Sequence, residues 1–97
     1  MITDKSAFEF EWDKGNIDKN KKHGVENVEC EEIFADENKI IYKDIFHSEN
    51  EDRYIVIGKS RKEKLLYVVF TKRGEEIRII SCRKVNKKEV PIYEKAA

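Results

Sequence analysis

The 97-residue sequence has one proline, four glycines and two cysteines, and no apolar run near the roughly 18 residues a bilayer-spanning helix needs. The opening Met1-Ile2-Thr3-Asp4-Lys5-Ser6 has no apolar signal core behind it. A soluble, cytoplasmic protein without membrane contact is therefore expected. Cys30 and Cys82 form no Cys-x-x-Cys or Cys/His ligand pattern, so no metal site and no cofactor is read. In a reducing compartment the two cysteines are expected as small buried hydrophobes. A disulfide requires the helix carrying one to abut the strand carrying the other. No repeat or low-complexity linker appears, and the length suits a single domain over residues 1–97.

Net charge is also lacking, because 20 Lys+Arg balance 20 Asp+Glu. The balance hides a polarity. Residues 1–52 carry 7 Lys+Arg against 15 Asp+Glu, a charge of −8, and residues 53–97 carry 13 against 5, a charge of +8. Two arrangements fit: a dipolar molecule whose basic face steers polyanions, or halves that interleave and neutralise each other. Charged residues make up 41 %, against about 25 % in an average domain. The chain is nevertheless read as folded, since its apolar residues cluster into short runs that hold nearly all of its aromatics.

Phe8-Glu9-Phe10-Glu11-Trp12-Asp13 alternates aromatic and acid, the pattern of a half-buried strand. A short polar helix is expected over 16–22, stopped by Gly24. A second, amphipathic helix is expected between Val25 and Phe34 with Asn27 as N-cap. Strands then follow: Ile40-Ile41-Tyr42 running on through Ile45-Phe46, Tyr54 to Gly58, Leu65 to Thr71, and Glu76 to Cys82 after an Arg73-Gly74 turn. The continuous run from Leu65 suits a central strand covered on both faces. The tail Asn86-Lys87-Lys88-Glu89 has capping-box spacing, but Pro91 would disrupt a helix begun there, so a later start is one alternative. The fold class is α+β, an antiparallel sheet with short helices packed on it, in the order β-α-α-β-β-β-β plus a C-terminal helix.

Certain blocks of this sequence resemble the BrnT-like toxin family. They are Phe10-Glu11-Trp12-Asp13, Gly15-Asn16-Ile17-Asp18-Lys19-Asn20 and Lys22-His23-Gly24-Val25. They continue with His47-Ser48, Glu51 and Arg53, then Ile77-Arg78-Ile79-Ile80-Ser81-Cys82-Arg83, Asn86-Lys87-Lys88-Glu89 and Tyr93. The resemblance runs in order over nearly all of residues 8–94. It implies a RelE-like fold, RNA cleavage, and a ribbon-helix-helix antitoxin through which alone operator DNA is bound. The chain departs from the family pattern in four places. The segment before Lys22 is one residue shorter, Glu63-Lys64 stands for a common Gly-Arg, Cys82 for an Ala, and Val90-Pro91 for two long charged residues.

Metal-free cleavage by the 2′-hydroxyl needs a base, a cation on the phosphate and an acid for the leaving oxygen. Arg78 and Arg83 are the first candidates, because a guanidinium fork binds two phosphate oxygens at once. Positions five apart face opposite ways in a regular strand, so the two share a site only across a bulge or past the strand end. Salt bridges to the many acids are the structural alternative. Lys64 is a further catalytic candidate, and His23 the natural acid or base. A helix-terminal cation is the alternative for His23. Lys22, Arg53, Arg61 and Lys84 are candidate RNA contacts, with Arg53, beside Glu51 and Asp52, read as a structural ion pair in preference to a catalyst. His47 and Ser48 are read as a local turn, and the tyrosines as packing in preference to base stacking. The departures leave a second functional reading: a catalytically weakened module that only partners an antitoxin or co-repressor.

Overall fold

The computed structural model describes residues 9–12, 24–47 and 51–96. The helix expected over 16–22, with Lys22 and His23, and the segment 48–50 with Ser48 lie outside the described residues. Strand β1 (Glu9–Trp12) is followed by helix α1 (Asn27–Glu32), which tightens into a 3-10 turn at Ile33–Ala35. Then come β2 (Ile40–Lys43), a 3-10 turn at Ile45–His47, β3 (Tyr54–Lys59), β4 (Leu65–Arg73), β5 (Glu76–Lys84) and helix α2 (Val90–Ala96).

The five strands form one sheet in the order β1-β5-β4-β3-β2. Strands β2 to β5 make an antiparallel meander, as their short connections dictate. The sheet as a whole is mixed, which corrects the antiparallel expectation: β1 adds to β5 in parallel, Phe10 level with Ile77 and Trp12 with Ile79. A strand joined to the meander through a long segment containing a helix is not bound to hairpin geometry. The residues Ile45 and Phe46 do not extend β2 either; they turn away in the 3-10 segment and stand 71 % and 82 % exposed.

The sheet has a helix against each face. On one, Val25, Cys30, Ile33 and Phe34 cover Val56, Leu66, Val68, Phe70, Ile77, Ile79 and Cys82. Phe34 is the hub, meeting Phe10 and Phe70 edge-on with ring centroids 5.2 and 5.1 Å apart. The 3-10 turn after α1 approaches β3 closely at Gly58, where a Cβ would lie 3.0 Å from the Ile33 carbonyl oxygen and could be taken in only if that turn gave way by a few tenths of an ångström. On the other face Tyr93 of α2 packs with Ile55 and Ile57, and Leu65, Tyr67 and Val69 are half-buried beside them. Strand β4 is thus central and covered on both sides.

Two helix starts depart from the sequence reading. Glu26, not Asn27, caps α1: Glu29 reaches back to accept the Glu26 backbone N–H at 3.1 Å, and Asn27 becomes the first helical residue. At the C-terminus Asn86 Oδ1 accepts the N–H groups of Lys88 and Glu89, and Glu89 Oε1 accepts that of Asn86 at 2.9 Å. The helix itself starts at Val90, so Pro91 sits in its first turn, where a missing N–H costs nothing. Cys30 and Cys82 are joined by a disulfide, Cα atoms 6.3 Å apart, which corrects the free-thiol expectation. The packing of α1 on β5 brings them together.

Candidate functional site

Strand β5 carries the two leading candidates, and a bulge decides how they face. Val69 of β4 is level with Ser81, but Phe70 is level with Ile79, leaving Ile80 as an extra residue. Before the bulge Ile77 and Ile79 point to the α1 core; after it Cys82 does. The parity change puts Arg78 and Arg83 on the same face, opposite α1. Their cross-strand partners on β4 are Thr71 and Tyr67, four residues apart, so the two arginines are spaced by about 13 Å along the strand. On its other side Arg78 is level with Glu11 of β1.

Arg83 is held from several directions. Its Nη1 and Nη2 donate to the two carboxylate oxygens of Glu89 at 2.8 and 2.7 Å, a bidentate pair. Its guanidinium carbon lies 4.0 Å from the centroid of the Tyr67 ring. The carboxylate is itself fixed by the Asn86 N–H in the cap turn. Hydrogen bonding to Glu89 raises the Arg83 pKa further, and the same bonds to Arg83 hold Glu89 below the usual carboxylate value despite its burial.

Next to Tyr67, across β3, stands Tyr42 of β2, its hydroxyl hydrogen-bonded to that of Tyr67. Burial first, and then Tyr67, pushes the Tyr42 phenol up to about 12. Burial also raises Tyr67. Both phenols are protonated at neutral pH, with Tyr42 the donor and Tyr67 the acceptor of the bond between them. Tyr67 also packs against the Ile55, Ile57 and Tyr93 cluster, as the sequence reading favoured, while standing on the arginine-bearing face. Glu89 is the residue that sequence reasoning missed here. Its spacing from Asn86 signals the cap, but no periodicity links it to Arg83 across the end of a strand.

Lys64 lies elsewhere. Its Nζ sits 3.2 Å from each carboxylate oxygen of Glu29, a residue only 2 % exposed on α1. Burial raises the Glu29 pKa, but the Glu26 N–H and Lys64 outweigh it and the net shift is downward. Lys64 is thus placed as the counter-charge of a buried acid on the α1 side. Arg61 is exposed, its Nε 4.0 Å from Glu32 and its backbone N–H donating to Glu32 Oε1 at 3.1 Å. Together the Glu29–Lys64 and Glu32–Arg61 contacts show the acidic and basic halves interleaving on this side of the molecule. Arg53 is half-buried before β3, where its carbonyl accepts the Asp44 N–H at 2.8 Å. Lys84 is exposed at the end of β5, and His47 closes the 3-10 turn after β2.

The arrangement can bind a polyanion along β5, stack flat groups near Tyr67 and donate protons from phenols. Among the described residues no cluster of His, Cys, Asp and Glu has the makings of a metal site, and no helix is long and apolar enough to cross a membrane. Among curated proteins no sequence matches the chain. The model of one family, described as ribonuclease toxin, BrnT, of type II toxin-antitoxin systems, matches residues 12–89. That span runs from Trp12, the last residue of β1, to Glu89 of the Arg83–Glu89 pair, and the chain belongs to the BrnT family of ribonuclease toxins.

Proposed function

We propose that this chain is a single-domain, cytoplasmic endoribonuclease toxin that cleaves RNA without a metal and is neutralised by a ribbon-helix-helix antitoxin. Operator DNA is then bound through that antitoxin alone. The observation that carries the reading is the bulge at Ile80, which gives one strand two arginines on one face beside protonated tyrosines. In the reaction the 2′-oxygen attacks the adjacent phosphorus as its proton passes to a base. The bond to the 5′-oxygen breaks, that oxygen takes a proton, and a 2′,3′-cyclic phosphate and a 5′-hydroxyl remain. Arg78 would stabilise the charge on the phosphate oxygens, and a phenol raised well above neutral suits a donor better than a base.

The test is controlled expression of wild type and Arg78→Ala at matched protein levels. Growth arrest with RNA fragmentation by wild type, relieved in the variant, is the expected result. Harmless expression of both folded proteins would reject it.

A second reading, a module that binds its antitoxin without cleaving RNA, has specific support. Lys64 is engaged by Glu29, and both arms of the Arg83 fork are taken by Glu89. Two of the cations expected to meet phosphate thus already have carboxylate partners. Capture of the antitoxin by a harmless wild-type chain would establish this alternative.

A further inference from the structure

Arg83 is built to do something other than grip phosphate. Its two terminal nitrogens face the Glu89 carboxylate at 2.8 and 2.7 Å, and one plane of the guanidinium lies on the Tyr67 ring at 4.0 Å. Yet the side chain remains 39 % exposed. With the Nη1/Nη2 fork and one plane occupied, and Nη1 also donating to the Lys84 carbonyl at 3.2 Å, what is left is the opposite plane and the Nε edge. A phosphate arriving on that plane would meet no N–H pointing at it, since the guanidinium donors lie in their own plane, and Glu89 would repel it at close range. A flat, uncharged π-system meets neither obstacle, because guanidinium planes stack on nucleobases as readily as aromatic rings do.

Resting on the ribonuclease reading, we infer that Tyr67, Arg83 and Glu89 form a nucleobase-stacking platform, in which a base of the bound RNA completes a base–guanidinium–tyrosine stack. Glu89 is the positioning residue. Anchored by the Asn86 N–H, it holds the guanidinium over the Tyr67 ring and cancels its charge, so the platform reads a base and not the backbone. Arg78, about 13 Å away on the same face, is the residue that the ribonuclease reading assigns to the phosphates. The platform is rigid before RNA arrives, so little side-chain entropy is lost on binding.

The test uses a 2′-O-methyl hexanucleotide, which cannot be cleaved, and versions of it with one abasic position moved along the chain. Binding is followed by fluorescence anisotropy against salt. For wild type, one abasic position is expected to weaken binding roughly tenfold. Arg83→Lys keeps the charge and a partner for Glu89 but loses the plane. It is expected to bind the intact strand roughly tenfold more weakly, to lose the abasic penalty, and to keep the wild-type salt dependence. The double variant Arg83→Gln/Glu89→Gln, with unchanged net charge, is expected to keep that salt dependence too. Arg78→Gln should instead lower the slope of log K against log salt by about 0.7 and leave the abasic penalty in place. An abasic penalty that survives Arg83→Lys, or a salt slope that falls in the double variant, would overturn the platform alone. No binding of any strand by wild type would overturn the ribonuclease reading with it.

Discussion

The hydroxyl of Tyr93 donates to Asp36 Oδ2 at 2.7 Å, tying the C-terminal helix to the residue that ends the 3-10 turn after α1. The same oxygen accepts the Lys59 backbone N–H at 2.8 Å. Asp36 therefore joins three elements: the end of β3, the α1 extension and α2. Although burial raises its pKa, the Tyr93 hydroxyl and the Lys59 and Asn38 amides outweigh it, and the carboxyl lies below its ordinary value.

Removing the hydroxyl in Tyr93→Phe should destabilise the fold by about 1.5–3 kcal/mol, the usual contribution of a hydrogen bond to a charged group. Denaturant unfolding would measure it. The alkaline limb is a second readout. Burial, and then Asp36, raises the Tyr93 phenol from 10.0 to about 12 in the folded state. Its contribution is therefore complete below pH 10.0 and lost as pH climbs towards about 12. Tyr93→Phe should flatten that loss.

Acid should act through three carboxylates. Glu29, Asp36 and Glu89 are all depressed in the folded protein relative to ordinary values of 4.5, 3.8 and 4.5. Such groups stabilise above the unfolded pKa, and that stability is lost as pH falls through the folded pKa. Stability should thus hold steady down to about pH 5 and decline below it. A stability curve still flat well below pH 4 would contradict the assignment.

Glu63 has φ of 64°, the left-handed region, in the turn between β3 and β4. The family commonly has glycine here, and the geometry gives the reason, since a Cβ in this conformation costs roughly 1–2 kcal/mol. Glu63→Gly should therefore stabilise the protein, by about 1 kcal/mol after the greater freedom of glycine in the unfolded chain is counted. Thermal unfolding would show a rise in Tm; a fall would mean the Glu63 side chain makes a contribution that outweighs the strain.

Cys82→Ala, which restores the common family residue, removes a cross-link between residues 52 apart. Under oxidising conditions the loss should be about 2–4 kcal/mol. In excess reductant most of that difference should vanish, leaving only the small effect of trimming a buried sulfur. Equal destabilisation with and without reductant would show that packing, not the cross-link, is responsible.

The meander was legible because each of its strands announces itself locally. Tyr54 to Lys59, Leu65 to Arg73 and Glu76 to Lys84 are β-branched or aromatic runs separated by tight turns. What the sequence hides is pairing at a distance. Nothing in Phe10-Glu11-Trp12 says that its neighbour is Ile77-Arg78-Ile79, or that the pairing is parallel. The bulge at Ile80 was equally hidden, since Ile80-Ser81 contains no glycine to mark it. An unmarked bulge inverts the face of every residue beyond it, so the placement of Arg78 and Arg83 on one face could be named only as a condition. The Cys30–Cys82 bond and the Glu29–Lys64 pair needed the docking of α1, which periodicity alone does not supply.

The parallel pairing of β1 with β5 also has a temporal side. Strands β2 to β5 can close one hairpin at a time, each by a short loop, whereas Glu9–Trp12 must wait for a partner at Glu76–Ile79. On the ribosome Glu9–Trp12 is made well before its partner, so Phe10 and Trp12 stay without their neighbours on β5 until Glu76–Ile79 have emerged. Strand β5 then keeps an open edge until the two strands meet.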